Sequence, residues 1–315
     1  GDDLRLRMCM ERLAYEAQSL SGHKGFAVEL SRGRALTILE SPECLGSLEL
    51  SAAFLSYVDE RAGLLVGQES GGGRPSTYRF PHRTLQEYLA GCFLVRQRQP
   101  GRQLFECARD GDTWALAAQY GAEHLLFCQR QQTGLLDLTY QLLTTSPESD
   151  QQLRATLWSG QYAALVERAT VVADSDTPQG GQSYLTRLTT ALDVVITSSL
   201  TVAEREEAAR ALAALGDSRS AIATLQGMTF CWVPGGAFTM GSDKRTDPAS
   251  RSSERPIHAA DIPDFWLGRY LITQGQFREF TQCGGYSNGE FWHEAQSAGW
   301  WRDDRFWSPV YKGHR

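Results

Sequence analysis

The segment Phe230-Cys231-Trp232-Val233-Pro234-Gly235-Gly236-Ala237-Phe238-Thr239-Met240-Gly241-Ser242 is the most telling stretch of this 315-residue chain. Two apolar, β-favouring runs, 230–233 and 237–240, flank Pro-Gly-Gly, a pattern that predicts a β-hairpin. Composition shifts at the same place: residues 229 to 315 hold six of the eight Trp and 16 of the 32 aromatic residues, so a domain boundary is set at residue 228. Beyond the hairpin, 244–254 reads as a polar loop. Thr273 to Gln276 is a capping-box pattern that opens a helix with Phe277 and Phe280 on its inner face, and Gly284-Gly285 ends it. Trp232, Phe238, Phe265, Trp266, Phe277 and Phe280 are expected to fill a core. Trp300, Trp301, Phe306 and Trp307 are less regularly spaced and stand as candidate ligand-binding residues.

Upstream, residues 99 to 227 read as a run of short helices without strand alternation. Thr201-Val202-Ala203-Glu204 is a second capping box, Ala208, Ala211, Leu212 and Leu215 follow at helical spacing, and Gly216 is placed as the C-terminal cap. Ile222 and Leu225 begin a further short helix, and residues 174–183 form an exposed loop. No fixed repeat period emerges. Before residue 99, the spacing of Leu6, Met10, Leu13, Ala17 and Leu20 predicts one amphipathic helix, and Leu50, Phe54 and Tyr57 mark the inner face of a second over 48–61. Leu64-Leu65-Val66, the turn-rich 69–76 and Thr77 to Phe80 then read as strand, loop and returning strand. Helices followed by such a hairpin suggest a winged helix.

Charge limits the partners. Thirty-one Lys plus Arg against 37 Asp plus Glu give −6, which offers no general attraction to nucleic acid or anionic membrane. Residues 1 to 98 carry 12 basic and 12 acidic residues, so the winged element is not expected to bind DNA. No apolar run approaches the ~20 residues that cross a bilayer, and no signal peptide is expected. A cytoplasmic location follows as an expectation. The seven cysteines (9, 44, 92, 107, 128, 231, 283) form no Cys-x-x-Cys pair, which argues against a disulfide framework or zinc knuckle. Cys9 and Cys92 sit in apolar helical patterns as buried thiols. His258 and His293 lack ligand-spaced partners and read as surface or packing residues.

The segment Tyr78-Arg79-Phe80-Pro81-His82-Arg83-Thr84-Leu85-Gln86-Glu87-Tyr88-Leu89-Ala90 resembles the Phe-x-His-x-Ser/Thr-Phe/Leu-Gln-Glu-Tyr/Phe-x-Ala signature of NACHT-family NTPases of the STAND class. That resemblance covers residues 1 to about 98. It implies a winged helix packed on a nucleotide-binding domain, with His82 contacting the β-phosphate of ADP and Gln86, Glu87 and Tyr88 in support. A helix N-terminus beside an imidazole suits an anion. No Gly-x-x-x-x-Gly-Lys-Ser/Thr occurs in the chain, so the resemblance implies a nucleotide-binding half outside it.

The stretch 230–242, with Glu254-Arg255-Pro256-Ile257-His258 and Phe265 to Thr273, is similar to the opening of a formylglycine-generating-enzyme-like, or sulfatase-modifying-factor, domain, whose fold is C-type-lectin-like. The similarity runs to Gly284-Gly285-Tyr286 and Phe291-Trp292. Cys231 and Cys283 do not match the copper-binding cysteine pair of the enzymes of that family.

Together these resemblances imply an α+β multidomain chain: a NACHT-associated winged-helix domain at 1–98, an all-α helical spacer at 99–227, and the first half of a C-type-lectin-like α+β domain at 228–315. The function so implied is the regulatory, ligand-sensing C-terminal part of a NACHT-type signalling or defence ATPase, non-catalytic by itself. One alternative is a fragment of a formylglycine-generating enzyme; another is a ligand-binding variable protein of a diversity-generating retroelement. No catalytic or metal-ligating residue and no cofactor is assigned to the chain itself, whereas ADP or ATP with Mg²⁺ is expected in the full-length protein. The expected partners are a NACHT nucleotide-binding domain in the same chain and an unidentified protein or small-molecule ligand, with an oligomer formed on activation.

Overall fold

The spacing of Leu6, Met10, Leu13 and Ala17 winds into helix α1 (Asp2–Leu20), with Met10, Leu13 and Ala17 buried. Leu20, expected on the same stripe, is exposed at the helix end. The computed structural model describes residues 2–21, 29–69, 74–175, 180–302 and 305–306. Within it the chain divides into two compact units, residues 1–216 and 217–315.

The first unit continues with strand β1 (Leu30–Ser31) and helix α2 (Arg32–Leu39), which Ser31 caps by accepting the Arg34 amide. Helix α3 (Leu48–Glu60) is capped by Ser47. Its inner face is Ser51, Phe54, Leu55 and Val58, while Leu50 and Tyr57 are exposed, which corrects the sequence expectation. A serine takes a core position because its hydroxyl donates to the Ser47 carbonyl at 2.7 Å and so leaves no unpaired polar atom. The strand expected at Leu64 starts later, as β2 (Val66–Glu69), since the amides of Leu64 and Leu65 both return to the Val58 carbonyl and close off α3. It pairs antiparallel with β3 (Pro75–Arg79) in a three-stranded sheet of order β1-β3-β2. Residues 70–73 of the expected loop lie outside the described residues.

From here to residue 216 the described chain is helical: α4 (Arg83–Arg96), α5 (Pro100–Cys107), α6 (Ala115–Glu123), α7 (Gln132–Leu142), α8 (Asp150–Val166), α9 (Arg168–Ala173), α10 (Gly181–Ile196) and α11 (Val202–Leu215). Helix α4 lies between α1 and α6, and α8 is packed by α7, α10 and α11. A single hydrophobic core runs through the unit from Cys9 to Leu215. Residues 176–179 of the loop expected at 174–183 lie outside the described residues, and α10 already begins at Gly181.

The capping box at Thr201 forms as expected and does more than cap. Glu204 Oε2 accepts from the Thr201 amide at 2.9 Å and hydroxyl at 2.8 Å, while Oε1 accepts from Arg154 Nε at 2.6 Å, fastening α11 to α8. Burial raises the Glu204 pKa, but the bonds from Arg154 and Thr201 outweigh it and hold the carboxyl below its ordinary range. A depressed folded pKa stabilises the fold above the unfolded value, ~4.3, and that contribution fades as pH falls below it through the folded pKa. Replacement Glu204→Gln is expected to cost about 1.5–3 kcal/mol at pH 7. Urea unfolding from pH 7 down to pH 3 checks this, because the gap between variant and wild type should close at the acid end. Gly216 ends the helix at φ 109°, its amide bonded to Leu212 O at 3.0 Å, as the sequence indicated.

In the second unit, α12 (Ser220–Ala223) precedes β4 (Phe230–Val233) and β5 (Gly236–Met240). These two strands do not pair with each other, contrary to the hairpin read from Pro-Gly-Gly. β5 pairs with β6 (His258–Ile262), and β4 with β7 (Phe265–Gly268), both antiparallel. Register is unchanged across the break, Val233 facing Phe265 and Gly236 facing Ile262, so the four strands are one long hairpin with a corner in each arm. The corners nest: the Gly235 amide donates to Asp264 Oδ1 at 2.7 Å, and a Cβ on Gly235 would lie 2.5 Å from Ile262 O. Pro-Gly-Gly is therefore a crossing point and not a reversal.

Helix α13 (Gln274–Gln282), α14 (His293–Ser297) and the short pair β8 (Trp301–Arg302) and β9 (Arg305–Phe306) complete the unit. Its expected core is not where the sequence put it. Trp232 and Trp266 share one face of the hairpin and are 53% and 66% exposed, while Leu267 on the opposite face is 58% exposed. Phe238, Phe265 and Phe277 are exposed as well. On α13 the buried residue is Gln276, and Phe280 is half-buried. Among the described residues no helix is long and apolar enough to cross a membrane.

Candidate functional site

Strand β3 delivers the chain to His82, the N-cap of α4, with φ −125° and ψ 125°. Its imidazole is exposed and makes no capping hydrogen bond, although its carbonyl accepts the Leu85 and Gln86 amides. The next residues of the motif turn inward. Gln86 Nε2 donates to Gln18 Oε1 at 2.6 Å, and Gln18 Nε2 donates to the Thr113 carbonyl at 2.5 Å, a buried amide chain that holds α4 against α1. Glu87, nearly fully buried, accepts from Arg83 Nε at 2.8 Å.

One turn further along α4 lies a polar cluster that the sequence did not reveal. Glu11 on α1 is fully buried and binds Arg7 at 2.9 Å and Arg96 on α4. Arg7 also reaches His124 Nε2 at 3.4 Å, and Tyr88 Oη lies 3.1 Å from His124 Nδ1. A guanidinium only donates, so Nε2 accepts and the proton belongs on Nδ1, facing Tyr88. Burial, with the charges of Arg7 and Arg96, lowers the His124 pKa and keeps the ring neutral. Burial, with Cys92 beside it, pushes the Tyr88 hydroxyl up to about 12. His124 opens a π-helical turn, His124–Cys128, a wider backbone form frequent at functional sites.

Beside the start of α4 is a cavity of about 590 Å³ walled by Arg83, Thr84, Glu87, Arg154, Trp158 and Glu204. Its volume suits a small molecule. Both arginines are engaged, Arg83 with Glu87 and Arg154 with Glu204, and Glu207 adds a third carboxylate to the wall, so it is not a free cationic pocket.

In the second unit the sequence-chosen aromatics separate. Trp300 is 48% exposed, whereas Trp301 is buried and stacks on Trp292 at 5.2 Å and 8°. Trp292 stacks in turn on Tyr286 at 5.7 Å and 11°, and its Nε1 donates to Gly285 O at 2.9 Å, which fixes a three-ring ladder. The Phe306 side chain and Trp307 lie outside the described residues. Gln276 is the buried hub: Nε2 donates to the carbonyls of Ala221 at 3.2 Å and Thr224 at 3.0 Å, and Oε1 accepts from the Thr273 amide at 3.0 Å. The capping box signalled Gln276 but not its hold on α12. His258 is exposed with Nδ1 3.0 Å from Pro256 O, and His293 is exposed at the start of α14. Among the described residues no three His, Cys, Asp or Glu side chains gather to hold a metal ion.

Residues 217–313 match the sulfatase-modifying factor enzyme 1-like domain. The chain is 42% identical over 82 residues to a hercynine oxygenase of Mycolicibacterium smegmatis, covering 24% of this chain and 19% of that protein. It is 39% identical over 57 residues to a hercynine oxygenase of Mycobacterium tuberculosis, covering 18% and 13%, and 34% identical over 79 residues to that of Mycolicibacterium thermoresistibile, covering 23% and 17%. The match spans less than a fifth of the length of each of these relatives. No solved structure matches the chain.

Proposed function

We propose that the second unit is the opening part of an enzyme module of the sulfatase-modifying-factor kind, and that the helical unit before it is a regulatory arm. The domain match over 217–313, joined by 42% identity to an oxygenase, is the observation that supports this most directly. In the whole protein the module then carries out an oxygen-dependent reaction on a small nitrogenous molecule, as the relatives' name implies for them, or on a cysteine-containing peptide. The described residues do not fit a metal site, so no metal-dependent step is assigned to them. Their part is architectural: Gln276 ties α13 to α12, and the stacked Tyr286–Trp292–Trp301 ladder fixes the segment that carries the exposed Trp300. Oxygen uptake by the whole protein, supplied with iron or copper and offered hercynine or a cysteine peptide, tests the reading. Uptake with either substrate is expected; none with both would overturn it.

A second reading, favoured by the first unit, makes residues 1–98 a NACHT-type winged helix and the helices after it a spacer. Two features support it: a three-stranded antiparallel sheet with α2 packed on it, and an imidazole at the α4 N-terminus free of capping duty. His82 then contacts the phosphate of ADP held by a nucleotide-binding domain elsewhere in the same protein. A residue shifts a conformational balance only through interactions that differ between the states. Losing one hydrogen bond to a charged group, about 1.5–3 kcal/mol, moves the closed-to-open ratio roughly ten- to a hundredfold. The variant His82→Leu in the full-length protein is expected to retain ADP less well, with thermal stability unchanged. Unchanged ADP retention with a lower melting temperature would make His82 a structural residue.

A further inference from the structure

We propose that the cavity beside the start of α4 binds a small zwitterion, a free α-amino acid with an apolar side chain. Four helices wall it: α4 through Arg83, α6 through Leu116, α8 through Arg154 and Trp158, and α11 through Glu207. At about 590 Å³ it is as large as ordinary small-molecule pockets. It lies wholly within the first unit and does not depend on either functional reading above.

Its charged groups are paired in a way that leaves binding capacity of both signs. Glu87 holds Arg83 through Nε at 2.8 Å, and Glu204 holds Arg154 through Nε at 2.6 Å. Among the described residues neither guanidinium makes another hydrogen bond, so each keeps the terminal nitrogens that grip a carboxylate. Those of Arg154 reach the cavity wall, since a Cβ added to Gly111 there would lie 3.7 Å from Nη2. The start of α4, which the His82 side chain leaves uncapped, adds positive potential at the same end.

The negative group is Glu207. Arg210 gives its hydrogen bond to Glu206 at 2.7 Å and lies 3.8 Å from Glu207, too far for a second one. Glu207 follows Glu204 by three residues on one face of α11, about 4.5 Å along the helix from the carboxylate that holds Arg154. A carboxylate and an ammonium on one carbon span that interval. Trp158 and Leu116 supply the apolar wall, and Leu116 is 45% exposed, so a hydrocarbon side chain seated there removes it from water. A simple anion would meet three carboxylates and a simple amine two guanidinium groups, whereas a molecule carrying both charges finds a partner for each.

The test is calorimetric titration of the full chain at neutral pH with leucine, methionine and phenylalanine, and with leucinamide and 4-methylpentanoate, each of which lacks one of leucine's charges. Saturable binding of at least one of the three amino acids is expected, with each analogue about tenfold or more weaker than leucine, the effect of losing a charged hydrogen bond. Glu207→Gln and Arg83→Gln should each weaken amino-acid binding by about the same factor. Circular dichroism checks that the variants fold, and the half-exposed Glu207 decides the matter if Arg83→Gln does not. No binding of the three amino acids at millimolar concentration would overturn the proposal. So would an analogue that binds as tightly as leucine, or amino-acid binding that Glu207→Gln leaves unchanged.

Discussion

Replacing Gly91 with valine is expected to remove about 4 kcal/mol or more of stability from the helical unit, the range of the most damaging single substitutions. Helices α4 and α6 cross with their backbones touching at Gly91 and Gly121. A Cβ on Gly91 would lie 2.2 Å from the Ala117 carbonyl oxygen and 2.8 Å from the Gly121 nitrogen, and one on Gly121 would lie 2.8 Å from the Gly91 carbonyl oxygen. These are backbone atoms inside helices and cannot rotate away, so the pair must separate and lose the packing between them. Helix propensity alone predicts the opposite sign, a gain of up to ~1 kcal/mol for glycine to alanine. Gly134 on α7, whose added Cβ meets only the Gln131 side chain at 3.6 Å, is the control that should show that gain. Urea unfolding of Gly91→Ala, Gly91→Val and Gly134→Ala separates the two effects. A Gly91→Ala variant as stable as the wild type would mean that the helices do not cross this closely.

Replacing Glu11 with alanine comes next, with an expected loss of about 3 kcal/mol. Glu11 is fully buried and is the carboxylate shared by Arg7 and Arg96. Without it two guanidinium groups and a neutral His124 face one another around a void. The loss falls at the lower end for a broken buried pair, because Arg7 and Arg96 keep 43% and 29% of their side-chain surface in water. Adding Arg7→Met to Glu11→Ala should recover part of the loss by removing one orphaned charge. Thermal unfolding of the single and double variants checks this, and a single-variant loss under about 1 kcal/mol would show that water already shares the cluster.

What could be read from the sequence was what is local in the sequence. The capping boxes at Thr201 and Thr273, the left-handed cap at Gly216 and the face of α1 from Met10 to Ala17 each depend on residues within a few positions of one another, and each is found in place. The errors fall where distant residues decide. Pro234-Gly235-Gly236 looks like a reversal until 262–264 is laid beside it, because the nested corner depends on Asp264. Leu50 and Tyr57 looked like core until Ser51, satisfied by its own helix, took the inward place. Of the candidate residues, His82 and Trp300 stand exposed and Trp301 is buried in its stack. The Arg7–Glu11–Arg96–His124 cluster joins α1, α4 and the π-helical turn, and the turn that aims His124 leaves no pattern in composition or spacing. Gln276 was visible as a cap, but its grip on Ala221 and Thr224 belongs to tertiary structure.

The long bent hairpin of the second unit has a consequence for synthesis. Its first arm, β4 and β5, contains Trp232 and Phe238, and the strands that pair with it come later in the chain, after a polar loop. At about 5–20 residues per second, the roughly 30 residues separating β4 from β7 take a few seconds to emerge, during which an aromatic strand with open edges has no mate. The helical unit, which precedes it in the chain, is by then already made. Lys244, Arg245 and Asp247 follow the arm directly, and their charge keeps it from joining a neighbouring nascent chain while it waits.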